Sequence, residues 1–161
     1  MNEATTNNDC EEILQLVSFN LEEEEYCIEI LKVKEIIKIM KVTNLPNSPD
    51  FVEGVINLRG KIIPVVDLRK KLELPQAAHT ANTRIIVVDI MNRTIGFIVD
   101  KVSEVLRIPT SILESPADLV VGINSEYINS IARYNDRLLI LIEVEKVLNS
   151  LNKIEFDINK N

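Results

Sequence analysis

Lys32-Val33-Lys34-Glu35-Ile36-Ile37-Lys38-Ile39 recurs later in the chain as Lys101-Val102-Ser103-Glu104-Val105-Leu106-Arg107-Ile108, and this repetition decides the fold. Four of the eight positions are identical, and three of the others keep their physical type. Each copy follows an apolar strand and, before it, an earlier strand, with Leu16-Val17-Ser18-Phe19 aligned to Ile86-Val87-Val88-Asp89. Downstream, Phe51-Val52-Glu53-Gly54-Val55 aligns with Tyr127-Ile128-Asn129-Ser130-Ile131. Gly60-Lys61-Ile62-Ile63-Pro64-Val65-Val66-Asp67 then aligns with Asp136-Arg137-Leu138-Leu139-Ile140-Leu141-Ile142-Glu143. Blocks in the same order at a near-constant offset mark a duplicated unit rather than the general likeness of β-hairpins.

Around these blocks, alternation and short apolar runs bounded by turn residues predict strands. Leu14 to Phe19 and Tyr26 to Ile30 flank an acidic turn, Glu22 to Glu25, of the kind that is ordinarily solvated. Val52 to Leu58 and Lys61 to Asp67 form a hairpin around Arg59-Gly60, and Asp67 caps a short helix, Leu68 to Leu72. Further strands are expected at Arg84 to Ile90, Thr94 to Asp100, Tyr127 to Arg133 and Arg137 to Ile142, with a helix from Glu143 to Leu151. Ile108-Pro109-Thr110-Ser111 and Ser115-Pro116-Ala117-Asp118 read as loops. Lys32 to Lys38 is too short to assign, because one helical turn and a strand end both fit it.

The predicted organisation is an N-terminal mobile tail (1–12), one domain (13–148) and a helix end with tail (149–161). The domain has approximate halves 13–75 and 83–148, joined by a polar linker, 76–82. Many short strands with little helix mean a barrel or sandwich. A chain of 161 residues suits one ordinary domain, or two very small ones that share a core. Aromatics are only 4% of it and Trp is absent, so Ile, Val and Leu must fill that core, which favours strands.

Net charge −7 and a pI near 4.8 argue against nucleic acid as a partner. The longest apolar runs have strand length, well short of the ~20 residues of a membrane helix, and the polar, acidic start is unlike a signal peptide. A cytoplasmic protein is expected. Two cysteines make no disulfide framework: Cys10 falls in the tail, and Cys27 is expected to be a small core residue. The single His79 lies in the linker, so neither a Ser/His/Asp arrangement nor a histidine metal cluster can be built around it. Asp67, Asp89 and Asp100 end strands, where capping is the ordinary role. No enzyme activity, metal or cofactor is expected. What remains unusual is Arg59, at a hairpin tip where folding does not require arginine; held on a rigid turn, it is placed to pair with a carboxylate or amide of a partner.

Phe51-Val52-Glu53-Gly54-Val55-Ile56-Asn57-Leu58-Arg59-Gly60-Lys61-Ile62-Ile63-Pro64-Val65-Val66-Asp67-Leu68 closely resembles the signature of the CheW-like family of bacterial chemotaxis coupling proteins. The resemblance extends to Tyr26 to Ile30, Val33 to Ile36, Ile95 to Asp100 and Val102 to Val105, and covers about Ile13 to Leu148. It implies two duplicated small SH3-like β-barrels packed side by side, with short helices after the hairpins and at the C-terminus. It also implies an adaptor that links methyl-accepting chemoreceptors to the histidine kinase CheA, recruited to the inner face of the membrane through receptor arrays without inserting into it. Carried over position by position, Val33, Glu35, Gly54, Asn57, Arg59 and Val105 match the receptor-binding positions, around a groove that takes the helical receptor tip. The kinase, whose regulatory domain has the same fold, is expected to pack barrel against barrel, and no short motif marks the residues that face it. A regulatory module of a CheV- or CheA-type protein is the alternative. Whether each N-terminal hairpin packs in its own barrel or in its neighbour's is left open by the sequence.

Overall fold

Runs of β-branched residues separated by two-residue turns fold as antiparallel hairpins, because such turns reverse the chain with the twist that strands require. The computed structural model describes residues 12–116 and 126–149. Its first hairpin joins Ile13–Leu21 (β1) to Glu24–Glu29 (β2), and a 3-10 turn, Ile30–Lys32, leads into Val33–Lys38 (β3). Val52–Leu58 (β4), Lys61–Asp67 (β5) and the one-turn helix Leu68–Lys71 (α1) complete the first repeat. The second contains Arg84–Ile90 (β6), Arg93–Val99 (β7), Lys101–Pro109 (β8), Leu113–Glu114 (β9), Ile128–Tyr134 (β10) and Arg137–Ile142 (β11). Residues 144–149 are helical. The predicted tails, Cys10 and Leu151 lie outside the described residues.

In three of the turns both central residues have positive φ: Arg59 and Gly60 (52° and 85°), Met91 and Asn92 (52° and 62°), Asn135 and Asp136 (50° and 64°); in the β1–β2 turn only Glu22 does (57°). The segment 32–38, left open between a helical turn and a strand, divides: Lys32 closes the 3-10 turn and Val33–Lys38 is strand. The loop expected at Ile108-Pro109 is instead the end of β8, where Pro109 stands opposite Ile13. The acidic run is only partly a turn: Glu24 and Glu25 open β2, and Glu25 turns inward to the buried Ser18 and to Arg137.

The strands form two sheets, ordered β8-β1-β2-β11-β10-β9 and β3-β6-β7-β5-β4. Exchanging each strand for its repeat counterpart (β1 for β6, β2 for β7, β8 for β3, β11 for β5, β10 for β4) converts one order into the other. Each sheet therefore takes a first hairpin from one half of the chain and the remaining strands from the other. Each also curls closed: Thr43, beyond β3, exchanges backbone hydrogen bonds of 2.8 and 2.9 Å with Val55 in β4, and β9 returns to β10 in the same way. The result is two small SH3-like barrels with exchanged hairpins. Their bulges are duplicated too, with register shifts at Val33/Glu35 and Ser18/Phe19, and at Val52/Gly54 and Ile128/Ser130.

Alternation sorts the apolar side chains into three clusters. Ile85 and Val87 of β6 point into one barrel with Ile56, Ile63, Val65 and Ile98. Leu16, Cys27, Leu106, Ile108, Leu139 and Leu141 fill the other. The intervening residues face a shared layer, in which Phe19, Leu21, Tyr26 and Ile28 meet Ile86, Val88, Ile95, Phe97 and Ile142. Cys27 is fully buried, and burial pushes its thiol up to about 12, in keeping with the expected core role. The clusters also correct the sequence alignment by one residue. Leu16 corresponds to Ile85, both inside barrels, and Phe19 to Val88, both in the shared layer.

An ion pair ties the segment following each second hairpin to the start of a strand in the other half. Arg69 of α1 donates through Nε and Nη2 to Asp100 at 2.8 and 2.5 Å, and through Nη1 to Glu22 at 3.0 Å. At the aligned position in the C-terminal helix, Glu145 accepts from Lys32 at 2.8 Å, with the polarity reversed. Burial alone would raise the Asp100 carboxyl, but the Arg69 guanidinium and the Glu22 amide outweigh it and hold it below its ordinary value. Glu145 is lowered similarly against burial, chiefly by Lys32, and Glu25 by Arg137 and Ser18. Burial raises Asp67, which acts in the opposite sense.

Two outcomes are expected. Gly54 has φ +147°, and a Cβ there would lie 2.0 Å from the Thr43 carbonyl oxygen, so Gly54→Ala should break the barrel closure. The cost should be ~2 kcal/mol or more, read as a lower urea midpoint; an unchanged midpoint would contradict the closure. Carboxylates held low in the folded state contribute stability that is complete near neutrality and is lost as pH falls below about 4, through the depressed native values. Asp100→Asn should therefore lower stability at pH 7 and flatten its decline between pH 5 and 3, in urea titrations compared at each pH. An unchanged slope would show that the Arg69 clasp does not contribute.

Candidate partner-binding site

Glu35 and Arg59 come from strands at opposite edges of one sheet, and the curl of the barrel brings them together. Glu35 follows the β3 bulge and stands opposite Val87. Arg59 occupies the tip of the β4–β5 turn, which Asn57 pins by accepting the Gly60 N–H at 2.8 Å on Oδ1. From that turn Arg59 Nη2 donates to Glu35 Oε2. The Arg59 side chain remains 68% exposed and that of Glu35 27%. An ion pair so open to water adds at most ~1 kcal/mol to stability, so the fold has little need of it. What it offers is an oriented guanidinium, with donors free to engage carboxylates or amides, beside a carboxylate held for a cation.

The other residues read from the sequence are placed differently. Gly54 is buried at the far end of β4, where it permits the bulge and the close approach of Thr43; its effect on the surface runs through the backbone. Val33, half-buried at the start of β3, packs against the shared layer. Val105 lies on the other barrel, in β8 opposite Val17, and is 53% exposed. Glu35, Asn57 and Arg59 thus form one cluster, Val33 and Gly54 support the strands that carry it, and Val105 lies on the other barrel.

Two features were missed in the sequence. Leu31, on the 3-10 turn where the chain crosses between barrels, is 93% exposed. With Ile13, Leu14, Gln15, Glu29 and Ile30 it borders a shallow cleft of about 120 Å³. With Ile13, itself 48% exposed, Leu31 makes a small apolar patch at the cleft, a surface of the kind a partner can cover. The second feature is a polar cluster on the β1–β2–β11 barrel: Arg137 donates to Glu25 at 3.0 and 2.5 Å and to Glu104 at 3.0 Å. Glu104 aligns with Glu35, so both barrels pair this strand glutamate with an arginine from their second hairpin. Exposed aliphatics are duplicated as well: Ile36 aligns with Val105, and Ile62 with Leu138. The repeat was the signal that would have found the duplicated pairs, whereas Leu31 aligns with Asp100 and carries no such signal.

Among the described residues no group of three His, Cys, Asp or Glu side chains is arranged to hold a metal, and no helix is long and apolar enough to cross a membrane. Comparison with known proteins gives a consistent result. The CheW-like domain family matches residues 15–152. A chemotaxis protein CheW from Klebsiella aerogenes is 39% identical over 136 residues, covering 84% of this chain and 82% of that protein. The chemotaxis protein CheV3 of Helicobacter pylori is 32% identical over 130 residues, which are 42% of its length. The scaffolding protein TtCheW from Thermoanaerobacter tengcongensis superimposes with a TM-score of 0.76 at 39% identity, over 81% of this chain and 89% of that one. On its sequence, its duplicated barrels and these likenesses, the chain belongs to the CheW-like family of chemotaxis scaffolds.

Proposed function

We propose that this chain is a non-catalytic adaptor that couples methyl-accepting chemoreceptors to the histidine kinase CheA, so that receptors control kinase autophosphorylation. The observation that carries this reading is the Arg59–Glu35 pair: a rigidly presented, largely exposed guanidinium paired with a half-buried carboxylate, of which the fold has little need. Adaptors act through such surfaces. A helical receptor tip presents i, i+3, i+4 side chains, and apolar contacts with a charged rim suit it. In this reading Arg59 and Glu35 form the rim, Asn57 and Gly54 shape the hairpin, Val33 supports β3, and Val105 is a contact on the second barrel. The exposed Leu31 and its cleft, on the other barrel, are assigned to the kinase's barrel-type regulatory domain. Two different faces then serve two partners. The chain is recruited to the inner face of the membrane by the receptors it binds.

The likeness to CheV3 favours a second reading, a CheW-like module within a longer signalling protein. That reading keeps both surfaces and adds a covalently linked domain.

Reconstitution tests the proposal. With receptor signalling tips and CheA, the chain should bind both, and kinase output should follow the receptors only when the chain is present. Arg59→Glu should weaken receptor binding by roughly 1–3 kcal/mol, lower the unfolding free energy by no more than ~1 kcal/mol, and leave kinase binding unchanged. Normal activation by Arg59→Glu would remove the hairpin tip from the receptor site. Failure of the parent chain to bind either partner would end the adaptor reading.

A further inference from the structure

The three consecutive cations of α1 each hold a different part of the molecule. Arg69 grips Asp100 and Glu22. Lys70 meets Glu53 at 3.0 Å, at the base of β4. Lys71 turns inward, 9% exposed, and lies over two aromatic rings, with its ammonium 3.8 Å from the centroid of Phe51 and 4.9 Å from that of Tyr127. A cation over a ring face, shielded from water, is held by the ring quadrupole.

The two rings are not arbitrary neighbours. Phe51 and Tyr127 occupy the same position in the two copies of the repeat, each just before the hairpin that completes its barrel. Their backbones are anchored alike: the Phe51 carbonyl accepts from Asp67 N–H at 2.9 Å and the Tyr127 carbonyl from Glu143 N–H at 2.7 Å. Both side chains pack against the shared layer. Lys71 thus bridges equivalent points of the two halves. Its counterpart by alignment, Val147, is fully buried in the shared layer, so the cation is a feature of one copy only. A buried lysine costs desolvation that an apolar residue such as Val147 avoids.

We propose that Lys71 is a positioning residue, whose ammonium, held between Phe51 and Tyr127, fixes the angle between the two barrels and so the angle between the two partner surfaces. The shared core and the exchanged strands hold the barrels together, and a charge between two ring faces adds a defined optimum to the angle at which they meet. The consequence for coupling rests on the adaptor reading; the geometric claim does not.

Lys71→Met, which keeps the apolar stem and removes the charge, tests it, with Lys71→Arg as the conservative variant that retains a ring-facing cation. In the parent chain, residual dipolar couplings from the two sheets should fit one alignment tensor. In Lys71→Met they should require two, and in Lys71→Arg one again. In the reconstituted system, Lys71→Met should bind receptor tips and the CheA regulatory domain separately with affinities within about twofold of the parent. It should lose receptor-dependent kinase activation by about tenfold, and Lys71→Arg should restore it. A single tensor in a folded Lys71→Met overturns the proposal, as does normal activation or a loss of binary affinity that matches the loss of activation. If Lys71→Met does not fold, Phe51→Leu, which removes one ring and keeps the cation, must give the two-tensor result. If the parent binds neither partner, the adaptor reading fails, while the dipolar couplings still decide the geometric claim.

Discussion

Exchange of the first hairpins governs the rest of this structure. β1 and β2 lie in a sheet with β10 and β11 from the far half of the chain, and β6 and β7 lie with β4 and β5 from the near half. Neither half can complete a barrel from its own strands. The outward faces of the exchanged hairpins meet in the shared layer, where Phe19, Ile28, Ile86 and Phe97 are all at most 1% exposed. Truncating one such aromatic to alanine typically costs ~3–5 kcal/mol, against at most ~1 kcal/mol for the exposed Arg59–Glu35 pair. The core therefore fixes the shape, and the rim is left to recognition.

This division suits a scaffold. A protein that must hold two partners at a fixed angle needs a stiff connection between its surfaces more than it needs affinity at either one. Exchanged strands supply it, because one barrel cannot rotate freely against the other without breaking sheet hydrogen bonds. The ion pairs of Arg69 with Asp100 and of Glu145 with Lys32 add a fastener from the segment after each second hairpin.

Local features were legible in the sequence, and long-range pairing was not. The hairpin turns were readable because a two-residue loop such as Arg59-Gly60 carries its own backbone requirement. The duplication was readable because both copies keep the same alternation. Strand exchange left no local trace: β1 has the same pattern whichever sheet it joins. The alignment slipped by one residue at Ile85-Ile86-Val87-Val88 because both faces of β6 are buried and no polar residue marks the inner one. Glu25 was hidden in a run of four glutamates, where composition masks the period. At the candidate site, Glu35 and Arg59 were each identifiable, but their ion pair depends on barrel closure. Leu31 was passed over because an aliphatic residue at a strand end reads as core until its exposure is known.

Native-state hydrogen exchange on the intact chain tests the intertwined architecture most directly. Amides of β1 and β2 in one barrel and of β6 and β7 in the other should exchange through the same opening, with free energies that agree within ~0.5 kcal/mol and equal that of global unfolding. If one barrel opened while the other stayed protected, with free energies separated by ~2 kcal/mol or more, the barrels would be independent units and the account of a single rigid scaffold would be wrong.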